Sequence, residues 1–100
     1  MGAENDFVRV PLDALGRLIE AALIAAGFNS DNAQVVGATM LAAECDGVRS
    51  HGLLRLKGFM HSVRVGWADG RATPAIVSQQ SGLIAVDAHN GFAQAGLAVV

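Results

Sequence analysis

Apolar residues recur every three or four positions in the first two thirds of the chain, which is the period of amphipathic helices. The pattern predicts a first helix from Pro11 to Ala26. Pro suits the first turn of a helix, and Gly27 suits the left-handed position that ends one. The expected apolar stripe consists of Leu15, Leu18, Ile19, Ala22, Leu23 and Ala26.

Two further helices follow from the same spacing. The second is expected to be capped by Ser30 and to run to about Cys45, which would then be a small core residue at its end. Its expected packing residues are Val35, Val36, Thr39, Met40, Ala42 and Ala43. An Asp-Gly pair ends it, and a third helix is predicted from near Ser50 to just before Gly66. Its apolar side would be Leu53, Leu54, Leu56, Met60 and Val63.

The pattern changes after Trp67 to short extended segments. Ala75 to Gln80 and Leu83 to Asp87 are predicted strands of a hairpin, with Ser and Gly at the turn between them. From Phe92 onward the pattern is helical again and stops without a cap. The expected fold class is therefore a mainly α N-terminal part of three helices, followed by a short β-hairpin and the start of another helix.

This element order predicts a domain boundary after residue 74. Residues 1–74 would form an N-terminal helical region, and residues 75–100 the hairpin and the start of a second, truncated domain. The uncapped apolar end suggests an N-terminal fragment of a larger α/β protein.

Composition excludes several classes of protein. Hydrophobic residues make up 52% and charged residues 16% of the chain, so it is not a disordered segment. A net charge of -2 gives no basic surface for nucleic acid. The apolar excess predicts a partner, either a second copy or more chain. With one cysteine, an acidic start and no long apolar run, we expect a cytoplasmic protein without an internal disulfide or a membrane span.

The candidate chemistry lies at the start of the predicted third helix. On an α-helix, His51, Arg55 and Phe59 are four residues apart and would share one face. Imidazole can exchange a proton with an alcohol or carbonyl, and guanidinium can bind a carboxylate through two bonds. Together they suit a small 2-hydroxy or 2-oxo acid. On spacing alone, a capping serine, a surface histidine and a solvated arginine explain the same residues.

Other kinds of site are less well supported. Ser50 and His51 should not form a hydrolase dyad, because adjacent helical side chains point about 100° apart. No spacing of His, Cys, Asp and Glu suits a metal, so we expect none. No glycine-rich phosphate loop follows a strand, so cofactor-binding residues stay unassigned.

The run Asp46 to Phe59, DGVRSHGLLRLKGF, and the later segment Val86 to Gln94, VDAHNGFAQ, resemble the type-2 malate/L-lactate dehydrogenase family. The resemblance extends from about Val10 to the end of the chain. That family includes sulfolactate, ureidoglycolate and diketogulonate oxidoreductases and a cyclic imino-acid reductase. It implies a nicotinamide cofactor, NAD or NADP, on an α/β fold that is not of the Rossmann type.

The resemblance also implies roles for individual residues. His51 would exchange a proton at the substrate carbon, and Ser50 would orient that histidine or touch the nicotinamide region. Arg55 would contact the substrate carboxylate. Phe59 stands in the substrate site where the family usually has tyrosine, so one polar substrate contact is absent. Most cofactor contacts would lie beyond Val100, and we expect the 100-residue chain alone to be inactive.

Two functions follow as hypotheses. The first is the N-terminal portion of a NAD(P)-dependent oxidoreductase, similar to malate or lactate dehydrogenase, that interconverts a small 2-hydroxy acid and its 2-oxo acid as a homodimer. The alternative is a non-catalytic helical module for docking or dimerisation.

Overall fold

The computed structural model describes residues 9–100, so the expectation about the acidic start falls outside the described residues. Over these residues, four α-helices and one hairpin follow in the order that the sequence predicts, and two 3-10 turns that it does not predict lie between the second and third helices. Their bounds are α1 Leu12–Ala26, α2 Ser30–Cys45, 3-10 turns Arg49–His51 and Leu53–Arg55, α3 Leu56–Arg64, β1 Ala75–Gln80, β2 Leu83–Asp87 and α4 Ala93–Ala98.

Helix α1 confirms the first predicted helix. Pro11 occupies its N-cap position, and Gly27 ends it with φ 122° while donating its N–H to the carbonyl of Ile24. The predicted stripe is correct only in part. Ile19 and Leu23 are buried, whereas Leu18 is 61% exposed and lies outside the core of the described residues.

Helix α2 has the predicted bounds but a different cap. Asn29, not Ser30, is the N-cap residue, and its Oδ1 accepts a bond of 2.9 Å from the backbone N–H of Asn32. The prediction of a core cysteine was wrong, because Cys45 is exposed at the helix end.

The inward face of α2 also differs in part from the predicted one. Val36 and Met40 are buried as expected, but Thr39 and Ala42 are exposed. The small residues Ala33 and Gly37 are buried instead. A Cβ on Gly37 would lie 3.3 Å from Cγ of Glu20, so this glycine marks the close approach of α1 and α2.

The third predicted helix is shorter than expected. It begins as an α-helix only at Leu56, because Gly52 adopts φ -98° and ψ -133° and separates two 3-10 turns. Leu54 is consequently 73% exposed, while Leu56, Met60 and Val63 pack against the core. The predicted face of His51, Arg55 and Phe59 therefore does not lie on one continuous α-helix.

The predicted hairpin is confirmed with the predicted bounds. Strands β1 and β2 pair antiparallel, with Ala75 opposite Asp87 and Gln80 opposite Leu83. The register shifts between Ile76 and Ser78. The hairpin is a two-stranded sheet, and β1 is exposed along its whole length.

The core lies between α1 and α2. Its fully buried members are Ile19, Leu23, Phe28, Ala33, Val36 and Met40. Phe28 stacks on Phe92 with ring centroids 4.8 Å apart, which joins the segment before α4 to this core. Buried Asn32 adds a polar link, because its Nδ2 donates to the carbonyls of Gly70 and Ala72 at 2.9 and 2.8 Å.

Within residues 9–100, none of the helices combines the length and the apolar character that crossing a membrane requires. The domain boundary that we place after residue 74 stays a prediction.

Candidate functional site

The candidate site is a short segment, residues 49–55, that connects α2 to α3. Its backbone forms two 3-10 turns, in which His51 N–H donates to the carbonyl of Val48 and Arg55 N–H to that of Gly52, at 3.1 and 3.0 Å. Gly52 itself is buried, but the side chains of His51 and Arg55 are exposed. The segment therefore presents its polar side chains on a surface that a ligand can reach.

Ser50 and His51 contact each other directly. Ser50 Oγ lies 3.1 Å from His51 Nδ1. Our expectation that these neighbouring side chains would point apart was wrong, because the two atoms lie within hydrogen-bond distance of each other. In the described part of the chain, no hydrogen bond reaches His51 Nε2, so this nitrogen is available to a ligand.

Arg55 folds back onto the start of the same segment. Its Nε donates to the backbone carbonyl of Ser50 at 2.7 Å. This bond holds the guanidinium beside the turn that carries His51, and among the described residues Nη1 and Nη2 make no hydrogen bond or ion pair. A guanidinium in this state can still bind a carboxylate through its Nη1 and Nη2 atoms. Arg49 adds exposed positive charge at the start of the segment, and Asp46 adds exposed negative charge three residues before it.

Phe59 is not brought to this surface. It is half-buried on α3, packs against the core, and meets Phe92 edge-on with ring centroids 5.1 Å apart. The break at Gly52 lies between His51 and Arg55, so His51 does not share one continuous helical face with Phe59 as the spacing predicted. Its part in binding a substrate stays a prediction.

One residue of this site was missed by the sequence analysis. Glu44, in the last turn of α2, accepts a hydrogen bond of 2.7 Å from the backbone N–H of Leu53 through its Oε1. In a continuous helix from Ser50, that N–H would bond to a backbone carbonyl four residues back. A glutamate near a helix end gives no sequence signal for this contact, because the contact exists only when the following helix is broken.

The other two histidines, His61 and His89, are weaker candidates for a catalytic group. His89 donates from Nδ1 to the carbonyl of Thr73 at 2.8 Å, and its Nε2 lies 3.4 Å from a carboxylate oxygen of Asp87. Both ring nitrogens of His89 are thus engaged at the end of the hairpin. His61 is exposed on α3. Over residues 9–100, no three His, Cys, Asp or Glu side chains are grouped as metal ligands would be.

Comparison with known proteins tests the family resemblance that this segment carries. A family model described as malate/L-lactate dehydrogenase matches residues 10–99. The chain belongs to the malate/L-lactate dehydrogenase family. The resemblance based on S-H-G-x-x-R and D-x-x-N-G-F is therefore confirmed, and so is the expected fold of helices followed by a hairpin.

Individual relatives are mainly imine reductases. The chain is 38% identical over 91 residues to the Delta(1)-pyrroline-2-carboxylate/Delta(1)-piperideine-2-carboxylate reductase of Pseudomonas putida, covering 91% of this chain and 27% of that protein. The crystal structure of delta1-piperideine-2-carboxylate reductase from Pseudomonas syringae superposes with a TM-score of 0.87 at 33% identity, over 93% of this chain and 28% of that one.

A second enzyme type is also represented. The malate dehydrogenase of Entamoeba histolytica superposes with a TM-score of 0.79 at 27% identity, over 88% of this chain and 25% of that one. The chain spans about a quarter of the length of these relatives. The solved relatives thus include both a piperideine-2-carboxylate reductase and a malate dehydrogenase.

Proposed function

We propose that this chain belongs to a NAD(P)-dependent oxidoreductase that reduces a C=N or C=O bond next to a carboxylate on a small substrate. The observation that carries the proposal is the segment 49–55. This segment carries an exposed imidazole, whose Nδ1 contacts Ser50, and an exposed guanidinium on the following turn. An acid–base group and a carboxylate anchor are the two protein groups that such a reduction needs.

The protein's part in the reaction is proton transfer. The hydride comes from the nicotinamide ring when the cofactor is bound. Reduction of the imine or carbonyl then requires one proton at the nitrogen or oxygen. We assign this proton to Nε2 of His51, which donates it during reduction and accepts it during oxidation.

Ser50 orients the imidazole ring of His51. In the tautomer in which Nδ1–H donates to Ser50 Oγ, the lone pair of the neutral ring lies on Nε2, which can then take up and return the proton. This role is one of positioning, and it needs no nucleophilic serine.

The cofactor itself is assigned from the family, whose members are NAD(P)-dependent dehydrogenases and reductases. Among the described residues, Ser50 is the one that the resemblance places near the nicotinamide. We assign none of residues 9–100 to the cofactor's phosphates, and the choice between NAD and NADP is open to experiment.

The names of the relatives suggest a narrower class of substrates. The reductases named for pyrroline-2-carboxylate and piperideine-2-carboxylate support a five- or six-membered cyclic imine carboxylate as the first substrate to test. A 2-oxo or 2-hydroxy acid of the malate and lactate type is the second.

Steady-state assays of the full-length protein test this proposal. We expect oxidation of NADPH or NADH in the presence of the cyclic imine carboxylate, with a higher kcat/KM than for pyruvate or oxaloacetate. A higher kcat/KM for a 2-oxo acid would favour a malate or lactate dehydrogenase. Turnover of neither class would favour the non-catalytic docking module that the sequence leaves open.

Arg55 provides a residue-level test of the carboxylate anchor. Replacing Arg55 by alanine should raise KM and also lower kcat, with a combined loss in kcat/KM of about tenfold to a hundredfold, because a charge-assisted bond contributes about 1.5–3 kcal/mol. Arg55→Lys should recover only part of this, since a point charge cannot replace the planar fork. Lys57→Ala removes an exposed charge two residues away and serves as the control. Equal losses in both alanine variants would refute a specific anchor.

The proposal also includes the oligomeric state and the cellular location. We propose a homodimer, supported by the exposed apolar side chains Leu18 and Leu54, which are 61% and 73% exposed. We also propose a cytoplasmic location, supported by the single cysteine.

A further inference from the structure

Gly52 lies between the two 3-10 turns of the candidate site. A constraint on the size of the residue at this position comes from outside the segment. A Cβ built at Gly52 would collide with the carboxylate of Glu44 and lie 2.8 Å from Glu44 Cγ.

The same carboxylate makes a specific bond at this point. Glu44 Oε1 accepts the backbone N–H of Leu53 at 2.7 Å, across nine residues of sequence. Leu53 is the first residue of the second 3-10 turn, so the carboxylate caps the turn that carries Arg55. Bonds of an ionised carboxylate to a backbone N–H are among the stronger hydrogen bonds in proteins.

The remaining bonds of the segment are local. Arg55 Nε holds the carbonyl of Ser50, and the backbone bonds connect residues three apart. Such bonds maintain the shape of the segment but do not fix its position on the fold. The Glu44 bond, in contrast, joins the segment to a helix that packs in the core.

We propose that Glu44 is a positioning residue for the reaction, and that Gly52 is glycine because the Glu44 side chain occupies the space of a Cβ. The carboxylate fixes the junction between the turn of His51 and the turn of Arg55. It thereby sets the distance between the proton donor and the carboxylate anchor, to which one small substrate must bind simultaneously. This inference rests on the proposed function for its kinetic part.

The expected kinetic effects distinguish positioning from packing. Glu44→Ala in the full-length protein should lower kcat/KM about tenfold to a hundredfold, because a misplacement of about 1 Å has an effect of this order. Glu44→Gln retains an oxygen acceptor at the same reach and should restore most of the activity. The neighbouring Asp46 is exposed and ends α2 without contacting the segment, so Asp46→Ala is the matched control.

The link to Gly52 is tested by a double-mutant cycle. Gly52→Ala should reduce kcat/KM about as much as Glu44→Ala does, since the new Cβ must displace the carboxylate from its bond to Leu53. In the Glu44→Ala background, adding Gly52→Ala should cost little more, because the obstructing side chain is gone. Additive losses would show that the glycine is required for another reason and would overturn this part of the proposal.

Amide hydrogen exchange separates this proposal from the proposed function. Peptides covering residues 49–55 should exchange faster in Glu44→Ala than in wild type, Glu44→Gln or Asp46→Ala. If wild type turns over no imine or 2-oxo acid, the proposed function fails, and this exchange result alone decides whether Glu44 fixes the segment. Unchanged exchange, or faster exchange with unchanged kcat/KM in an active enzyme, would overturn the positioning role.

Discussion

Replacing His51 by alanine in the full-length enzyme is expected to lower kcat by about 10²–10⁴-fold, the usual contribution of general acid–base catalysis. This corresponds to about 2.7–5.4 kcal/mol of transition-state stabilisation, at 1.36 kcal/mol for each factor of ten. Cofactor affinity should change little, because the imidazole is assigned to the substrate's nitrogen or oxygen. Steady-state kinetics and a titration of NAD(P)H fluorescence measure the two quantities separately.

His61 supplies the matched control for this variant. It is an exposed histidine on α3, outside the segment 49–55, and His61→Ala should keep kcat near the wild-type value. The kcat of Ser50→Ala should fall between those of His51→Ala and His61→Ala, because the imidazole of His51 can still exchange a proton but loses the partner of its Nδ1. A surface histidine without a catalytic role would give the same kcat in His51→Ala and His61→Ala.

The largest effect on stability is expected at Phe28. Its side chain is 2% exposed, stacks on Phe92 and packs with the buried residues of α1 and α2. Phe28→Ala should lower the free energy of unfolding by about 3–5 kcal/mol, because the loss of transfer energy adds to the energy of the cavity that remains. Urea unfolding of the full-length protein, followed by tryptophan fluorescence, gives this change through the midpoint and slope.

Phe28→Leu separates the stacking contact from simple burial. Leucine retains most of the apolar volume, so this variant should lose clearly less stability than Phe28→Ala. Equal losses in the two variants would mean that the aromatic contact with Phe92, not the filled volume, dominates. A midpoint unchanged in Phe28→Ala would contradict the placement of this residue in the core.

Elements defined by local signals were predictable from the sequence. The bounds of the hairpin follow from two runs of strand-forming residues around Ser81 and Gly82, and α1 follows from its period, Pro11 and Gly27. These signals lie within the elements that they specify, so they need no knowledge of tertiary contacts.

The parts that depend on tertiary contacts were not predictable in the same way. Leu18 matches the period of the α1 stripe, but the described residues provide no partner for it. The apolar period of the third predicted helix, Leu53 to Val63, contains no signal for the break at Gly52, which coincides with the bond from the N–H of Leu53 to the carboxylate of Glu44 on α2. The motif S-H-G-x-x-R thus marked the candidate residues, whose roles stay predictions, whereas their mutual geometry required the fold.

The central claim is that His51 moves the proton at the reacting atom of the substrate. Single-turnover kinetics test it most directly, with full-length enzyme saturated with NADPH and in excess over the cyclic imine carboxylate. The decay of nicotinamide absorbance then reports the chemical step without product release. We predict that the rate constant of this decay falls in His51→Ala by about 10²–10⁴-fold relative to wild type and His61→Ala. An equal rate constant in all three proteins would contradict the account.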